Sequence, residues 1–122
     1  MTSAAVLAKT LYEAYIAKDQ DAAERLLDVD FRFTSPIDNA LSRKRYFEIC
    51  WPTSESSEGF EFLNIIEAGD RVFVTYNGKR SEGKHFQSTE ILTIKNGKIS
   101  EAEVDFGWNV PHDLPVGTHK EN

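Results

Sequence analysis

From Phe60 to Phe106 apolar and polar residues exchange places at nearly every other position, the period of a pleated strand. Turn signals at Gly69-Asp70, Ser81-Glu82-Gly83 and Asn96-Gly97 divide this stretch into four strands: Phe60–Ala68, Arg71–Lys79, Lys84–Lys95 and Ile99–Phe106. Asn96-Gly97 is the strongest turn, because both residues reach positive φ at little cost and suit a two-residue hairpin. The start of the chain keeps a different period. Leu7, Leu11 and Tyr15 fall at i, i+4 and i+8, with Ala8, Tyr12 and Ile16 widening the stripe. That predicts a helix from an N-cap at Ser3 to about Lys18. Asp21-Ala22-Ala23-Glu24 has the form of a capping box, with Asp21 as the cap, and opens a short second helix ending near Leu27.

Between helices and strands the pattern is mixed. Phe31-Arg32-Phe33-Thr34 alternates as a short strand, and Pro36 stops it. Ser42 caps a third helix carrying Tyr46, Phe47, Cys50 and Trp51, which Pro52 ends. Thr53–Glu58 reads as a polar loop. Residues 107–122 hold two prolines and two glycines and read as an extended tail over the sheet.

Composition narrows the functional classes. The 122 residues make one domain, 1–122, large enough for a hydrophobic core. Net charge is −6, and no Lys/Arg stripe is present, so nucleic acid is not the expected partner. Cys50 stands alone, which excludes an internal disulfide and a Cys-based zinc site and fits a reducing compartment. The first residues lack a signal-peptide pattern, and no apolar run approaches the roughly 20 residues of a membrane span. A cytoplasmic protein without a membrane role is expected. His85, His112 and His119 have no metal-ligand spacing, and neither a phosphate loop nor Gly-x-Ser-x-Gly occurs, so no metal or cofactor is expected.

The paired-helix start, the Phe-x-Phe strand ending in Pro, the Tyr-Phe helix and the hairpin Glu90–Ile99 leading into Val104-Asp105-Phe106-Gly107-Trp108 form a recognisable order. Over residues 4–108 it resembles the SnoaL-like branch of the nuclear-transport-factor-2-like superfamily. The resemblance implies an α+β fold in which a cone-shaped, curved antiparallel sheet wraps around N-terminal helices, the cystatin-like topology. It also implies a pocket and, commonly, a homodimer. Members include polyketide cyclases, ketosteroid isomerases, dehydratases and ligand-binding domains, so the fold does not give the function. The Asp–His pairing of some dehydratase-like members finds no clear counterpart, since the first helix ends in Lys18-Asp19.

Strand parity sorts the candidate site residues. Val72, Val74 and Tyr76 share an apolar face, as do Ala102, Val104 and Phe106, while Asp105 points outward with Glu101 and Glu103. In Lys84–Lys95 the apolar face carries Phe86, Ser88, Glu90, Leu92 and Ile94. Glu90 therefore lies where a carboxylate is costly and must be paired, hydrogen-bonded or protonated. One reading is a general acid or base with a raised pKa; the other is a structural ion pair. Asp38 is the second carboxylate candidate, or else a turn residue. Tyr76 is either a donor to a ligand oxygen or a core tyrosine. Phe33, Tyr46, Trp51, Phe86 and Trp108 are candidate ligand-binding walls, with both tryptophans at the rim. Cys50 reads as a buried thiol. The functional expectation is a pocket for a small apolar molecule, cyclic ones included, with cofactor-free isomerase, cyclase or dehydratase chemistry. The alternative is a non-catalytic ligand-binding or dimerisation module. With Phe60 and Phe62 inward, Leu63, Ile65 and Phe73 mark the outer sheet face as the surface for a homodimer.

Overall fold

Ser3 caps the first helix, its hydroxyl accepting the Val6 N–H at 3.2 Å. The computed structural model, which describes residues 3–108 apart from the Glu82 side chain, continues this helix as α1, Ala4–Ala17. The expected cover by residues 109–122 lies outside the described residues. Lys18 ends α1 in the left-handed region, at φ 59°, and turns the chain in one residue. The next helix, α2 (Gln20–Leu26), therefore starts early. Its cap is Asp19, whose carboxylate accepts the Ala22 N–H at 3.1 Å, and not Asp21, which lies in the first turn.

Strand β1, Leu27–Ser35, is longer than its alternation predicted, and it turns at Pro36-Ile37 into a strand that was read as loop, β2 (Asp38–Ser42). Asp38 pairs with Ser35 across this tight hairpin. Ser42 then caps α3, Arg43–Ile49, by accepting the Arg45 N–H at 3.3 Å. Pro52 does not itself end α3. It sits in the first turn of a 3₁₀ helix, Trp51–Ser56, where its missing N–H costs nothing. The expected polar loop is thus mostly helical, and β3, Ser57–Ala68, begins within its last residues.

Strands β4 (Arg71–Arg80), β5 (His85–Lys95) and β6 (Lys98–Phe106) complete a curved, unclosed six-stranded sheet of order β2-β1-β6-β5-β4-β3. Asn96 and Gly97 both take positive φ, at 53° and 77°, as the hairpin requires. The sheet is mixed and not antiparallel throughout: β1 lies parallel to β6. These strands meet from distant parts of the chain, so no hairpin fixes their direction.

A bulge in β3 changes the expected parity. Phe62 faces Tyr76 across the ladder and Asn64 faces Thr75, leaving Leu63 as the extra residue. Phe60 and Phe62 turn inward as expected, but the shift sends Ile65 to the core side opposite Val74 and Ile66 to the outer face opposite Phe73. Along β4 and β5 the parity holds; in β6 it holds from Glu101 onward, and a shift at Ser100 turns Ile99 inward opposite Ile94. Val72, Val74, Leu92 and Ile99 are fully buried, and Asp105 is exposed. Helix α1 lies across β3 and β4, its first turn held by Glu67, which accepts the Ala5 N–H at 2.7 Å. No helix among the described residues is long and apolar enough to cross a membrane.

Candidate functional site

The concave face of the sheet does not fill. Between it, α1, α3 and the β1–β2 hairpin lies a cavity of about 300 Å³, the lower end of the range for small-molecule sites. Its wall is mainly aromatic. Tyr12 packs on Phe60, Phe62 and Tyr76 at ring separations of 5.5, 5.3 and 5.6 Å. Phe33 and Tyr46 meet at 5.1 Å on another wall. At the tip of the hairpin Ile37 is buried against the cavity.

Glu90 opens into this cavity from β5. Its ladder neighbours are Val74 and Val104, so the adjacent strands offer it no charged partner directly opposite. Oε2 accepts the Tyr76 hydroxyl at 2.6 Å. Burial, the largest influence, pushes the Glu90 carboxyl above the ordinary carboxylate range, while the Tyr76 and Tyr12 hydroxyls draw it back down. No cation is among these influences. The residue is half-buried, and the surface it retains is on the cavity it lines.

Tyr12 and Tyr76 are pushed well above the usual tyrosine range, first by burial and then by the Glu90 charge, so both hydroxyls keep their protons. Tyr76 spends its proton on Glu90. The Tyr12 hydroxyl lies near enough to Glu90 to influence it, yet it is buried with no well-formed hydrogen bond. Ser88, beside Glu90 on the same face, likewise has a buried hydroxyl without a well-formed hydrogen bond, close enough to the Tyr76 hydroxyl to influence it. Both hydroxyls sit at the edge of the Glu90–Tyr76 pair in an apolar chamber, where a poorly satisfied polar group is costly.

The expected residues divide as follows. Glu90 and Tyr76 are brought together. Asp38 lines the cavity, but its carboxylate accepts the Ser35 hydroxyl at 2.9 Å within the hairpin and is not among the groups that influence Glu90. Phe33, Tyr46 and Phe86 line the cavity. Trp51 does not: it is 7% exposed and stacks edge-on against Tyr15 at 5.4 Å, inside the core and not at the rim. Trp108 also stands off the wall. It is 45% exposed, and its carbonyl extends the β5 pairing by accepting the Gln87 N–H at 3.1 Å. Cys50 lines the cavity as an inert thiol, pushed up to about 12 by burial and then by the Asp38 and Glu90 charges.

Among the wall residues that sequence reasoning does not single out, Tyr12 and Arg80 carry the most chemistry. Tyr12 was read as part of a helical stripe, and only its hydroxyl among inward aromatics could have marked it. Arg80 was left outside the strand, although it continues the parity of Tyr76 and Gly78. Its guanidinium lies 5.3 Å from the Phe86 ring centre, and Nη1 donates to the Ser56 hydroxyl at 2.8 Å and, at the limit of a hydrogen bond, to the Thr53 carbonyl at 3.5 Å. Its Nε is buried without a partner.

A curved sheet closing over helices around a small aromatic chamber defines an α+β pocket architecture. The family model for the SnoaL-like domain matches residues 8–102, and the chain belongs to that family. No curated protein matches the chain. Among solved structures, one from Kribbella flavida DSM 17836 is similar at 20% identity, covering 88% of both chains with a TM-score of 0.79. An NTF2-like protein from Cytophaga hutchinsonii ATCC 33406 is similar at 19% identity over 88% of this chain and 92% of its own, with a TM-score of 0.73. TerC, co-crystallised with polyporic acid, is similar at 18% identity over 83% of this chain and 88% of its own, with a TM-score of 0.65. Neighbours with a cystatin fold accompany them. At these identities the likeness establishes the fold.

Proposed function

We propose that the protein binds a small apolar molecule in this cavity and moves a proton on it without a cofactor, Glu90 being the proton carrier. The observation that carries the reading is the Glu90 carboxyl, raised by burial and held by Tyr76 in an aromatic-lined chamber, with no cation among the groups that influence it. A carboxyl poised above its ordinary range is both a usable acid and, once ionised, a stronger base. Ionised Glu90 takes a proton from a carbon next to a ligand carbonyl, and the electron pair moves onto the carbonyl oxygen. The Tyr12 hydroxyl, which keeps its proton and makes no well-formed hydrogen bond, turns from Glu90 to donate to that oxygen. Returning the proton to another carbon isomerises the ligand, and losing a β-hydroxyl instead dehydrates it. Asp38, already engaged by Ser35, has no part in this step.

The test is exchange in D2O. A panel of hydrophobic cyclic ketones is incubated with the protein, and deuterium uptake at the carbon next to the carbonyl is followed by NMR. The expected result is catalysed exchange that Glu90→Gln abolishes. Binding without exchange, or exchange indifferent to Glu90→Gln, overturns the catalytic reading in favour of a ligand-binding module. The thiol state of Cys50 fits a cytoplasmic setting.

The outer face supports pairing of two copies. Ile66, Phe73 and Ile91 form one row across three strands, with bulged Leu63 beside them; Ile66 is 56% and Leu63 46% exposed. Light scattering should find a dimer that Ile66→Glu dissociates; a monomeric wild type overturns this reading.

A further inference from the structure

Arg80 is a charged feature of the cavity wall that proton transfer on an apolar ligand does not use. It closes β4 on the inward parity, six residues beyond Val74, the ladder partner of Glu90. Six residues of strand are about 20 Å of backbone, so Arg80 and Glu90 are rooted at well-separated points of the sheet. They do not neutralise each other, since no cation influences Glu90. The ion pairs among the described residues, Arg45 with Glu48 and Lys79 with Glu58, are both on the surface, and neither involves Arg80.

The guanidinium is nevertheless held in place. Gly78 leaves room for the Phe86 ring directly over the strand, since a Cβ there would stand 2.3 Å from the ring. Phe86 in turn carries the guanidinium on its face at 5.3 Å. Nη1 is fixed by the Ser56 hydroxyl, while Nε is buried with its proton unspent. An oriented guanidinium with a free donor edge and no carboxylate partner among the described residues suits a planar oxyanion taken two-pronged. A partly buried charge without a counter-ion among the described residues is also costly, and an anionic ligand relieves that cost.

We propose that the ligand is an amphipathic organic acid whose carboxylate docks on the free edge of Arg80, its apolar body running over Phe86 and Tyr76 towards Glu90. This rests on the cavity being the ligand site of the proposed function. It adds a charge requirement that the proton chemistry alone does not make.

The test is a matched pair of probes, 2-naphthoic acid and 2-naphthamide, titrated calorimetrically into the full chain at pH 7.5. The acid is expected to bind about tenfold tighter or better. Arg80→Gln should erase that preference while leaving amide binding in place, and Glu90→Gln should keep it. Because Arg80 also braces the 3₁₀ helix, its variant can lose the fold. The Arg80 Nε–H resonance of the wild type gives an independent reading: it should move with the acid and stay with the amide. Equal binding of the two probes, or a preference that survives Arg80→Gln, overturns the anionic ligand while sparing the pocket. Binding of neither probe overturns both.

Discussion

The Tyr76 hydroxyl donates to Glu90 Oε2 at 2.6 Å, from strand positions offset by one inward step. The bond partly compensates a carboxyl that burial has pushed up, and the compensation is incomplete. Glu90 is therefore a liability to the fold when charged. In the unfolded chain it loses its proton near the ordinary carboxylate pKa, while the folded protein holds the proton to higher pH. Folding stability must then fall as pH rises from about 4.5 through the folded pKa, and level off above it, at no more than about 1.4 kcal/mol per pH unit from this group. Glu90→Gln removes this dependence. Denaturant melts at pH 4, 6 and 8 should find the variant gaining on wild type as pH rises; a constant difference would contradict the burial argument.

Tyr76→Phe should act in the opposite sense on titration. The hydroxyl favours the charged carboxylate, so deleting it moves the Glu90 pKa further up. The ring stays, so the core contacts with Phe60 and Tyr12 remain and the loss is that of one buried hydrogen bond, about 1–3 kcal/mol. The Glu90 carboxyl carbon, followed by NMR across pH, should show a later titration in the variant than in wild type.

The same two residues show how far the sequence could be read. Alternation in β4 and β5 placed Tyr76 and Glu90 on one buried face, because antiparallel neighbours with regular registers keep their parity over many residues. In β3 the parity broke at the Leu63 bulge, which no local pattern announces, and Ile65 and Ile66 exchanged faces. Strand β2 was invisible for a different reason. Asp38-Asn39-Ala40 has turn chemistry, and Ala40 takes φ 49°; its pairing with β1 comes from the tight Pro36-Ile37 reversal and not from strand propensity. Trp51 was misplaced because Pro52 reads as a helix end. The chain instead tightens into a 3₁₀ helix there and turns the indole into the core. Which inward side chains would leave a void depends on the summed curvature of six strands, and that is not a local property.

Cys50 offers a check on the cavity environment itself. With its thiol pushed up to about 12, the reactive thiolate is scarce at pH 8. Iodoacetamide should alkylate the native protein slower than the denatured chain by about a hundredfold or more. Equal rates would mean that water and base reach the thiol freely and that the chamber is not the desolvated space described above.

Gly78→Ala tests the support beneath Phe86. A Cβ at this position would lie 2.3 to 2.9 Å from three atoms of the Phe86 ring, so the ring must move. The backbone at Gly78 is ordinary strand paired directly with Phe86, and the added methyl is the only insult. Overpacking of this kind costs about 1–3 kcal/mol. Moving the ring also withdraws the face on which the Arg80 guanidinium rests, 5.3 Å away. The variant should therefore melt several degrees lower and lose affinity for 2-naphthoic acid more than for 2-naphthamide. Loss of stability with both affinities intact would confine Gly78 and Phe86 to packing and separate the ring from the guanidinium it carries.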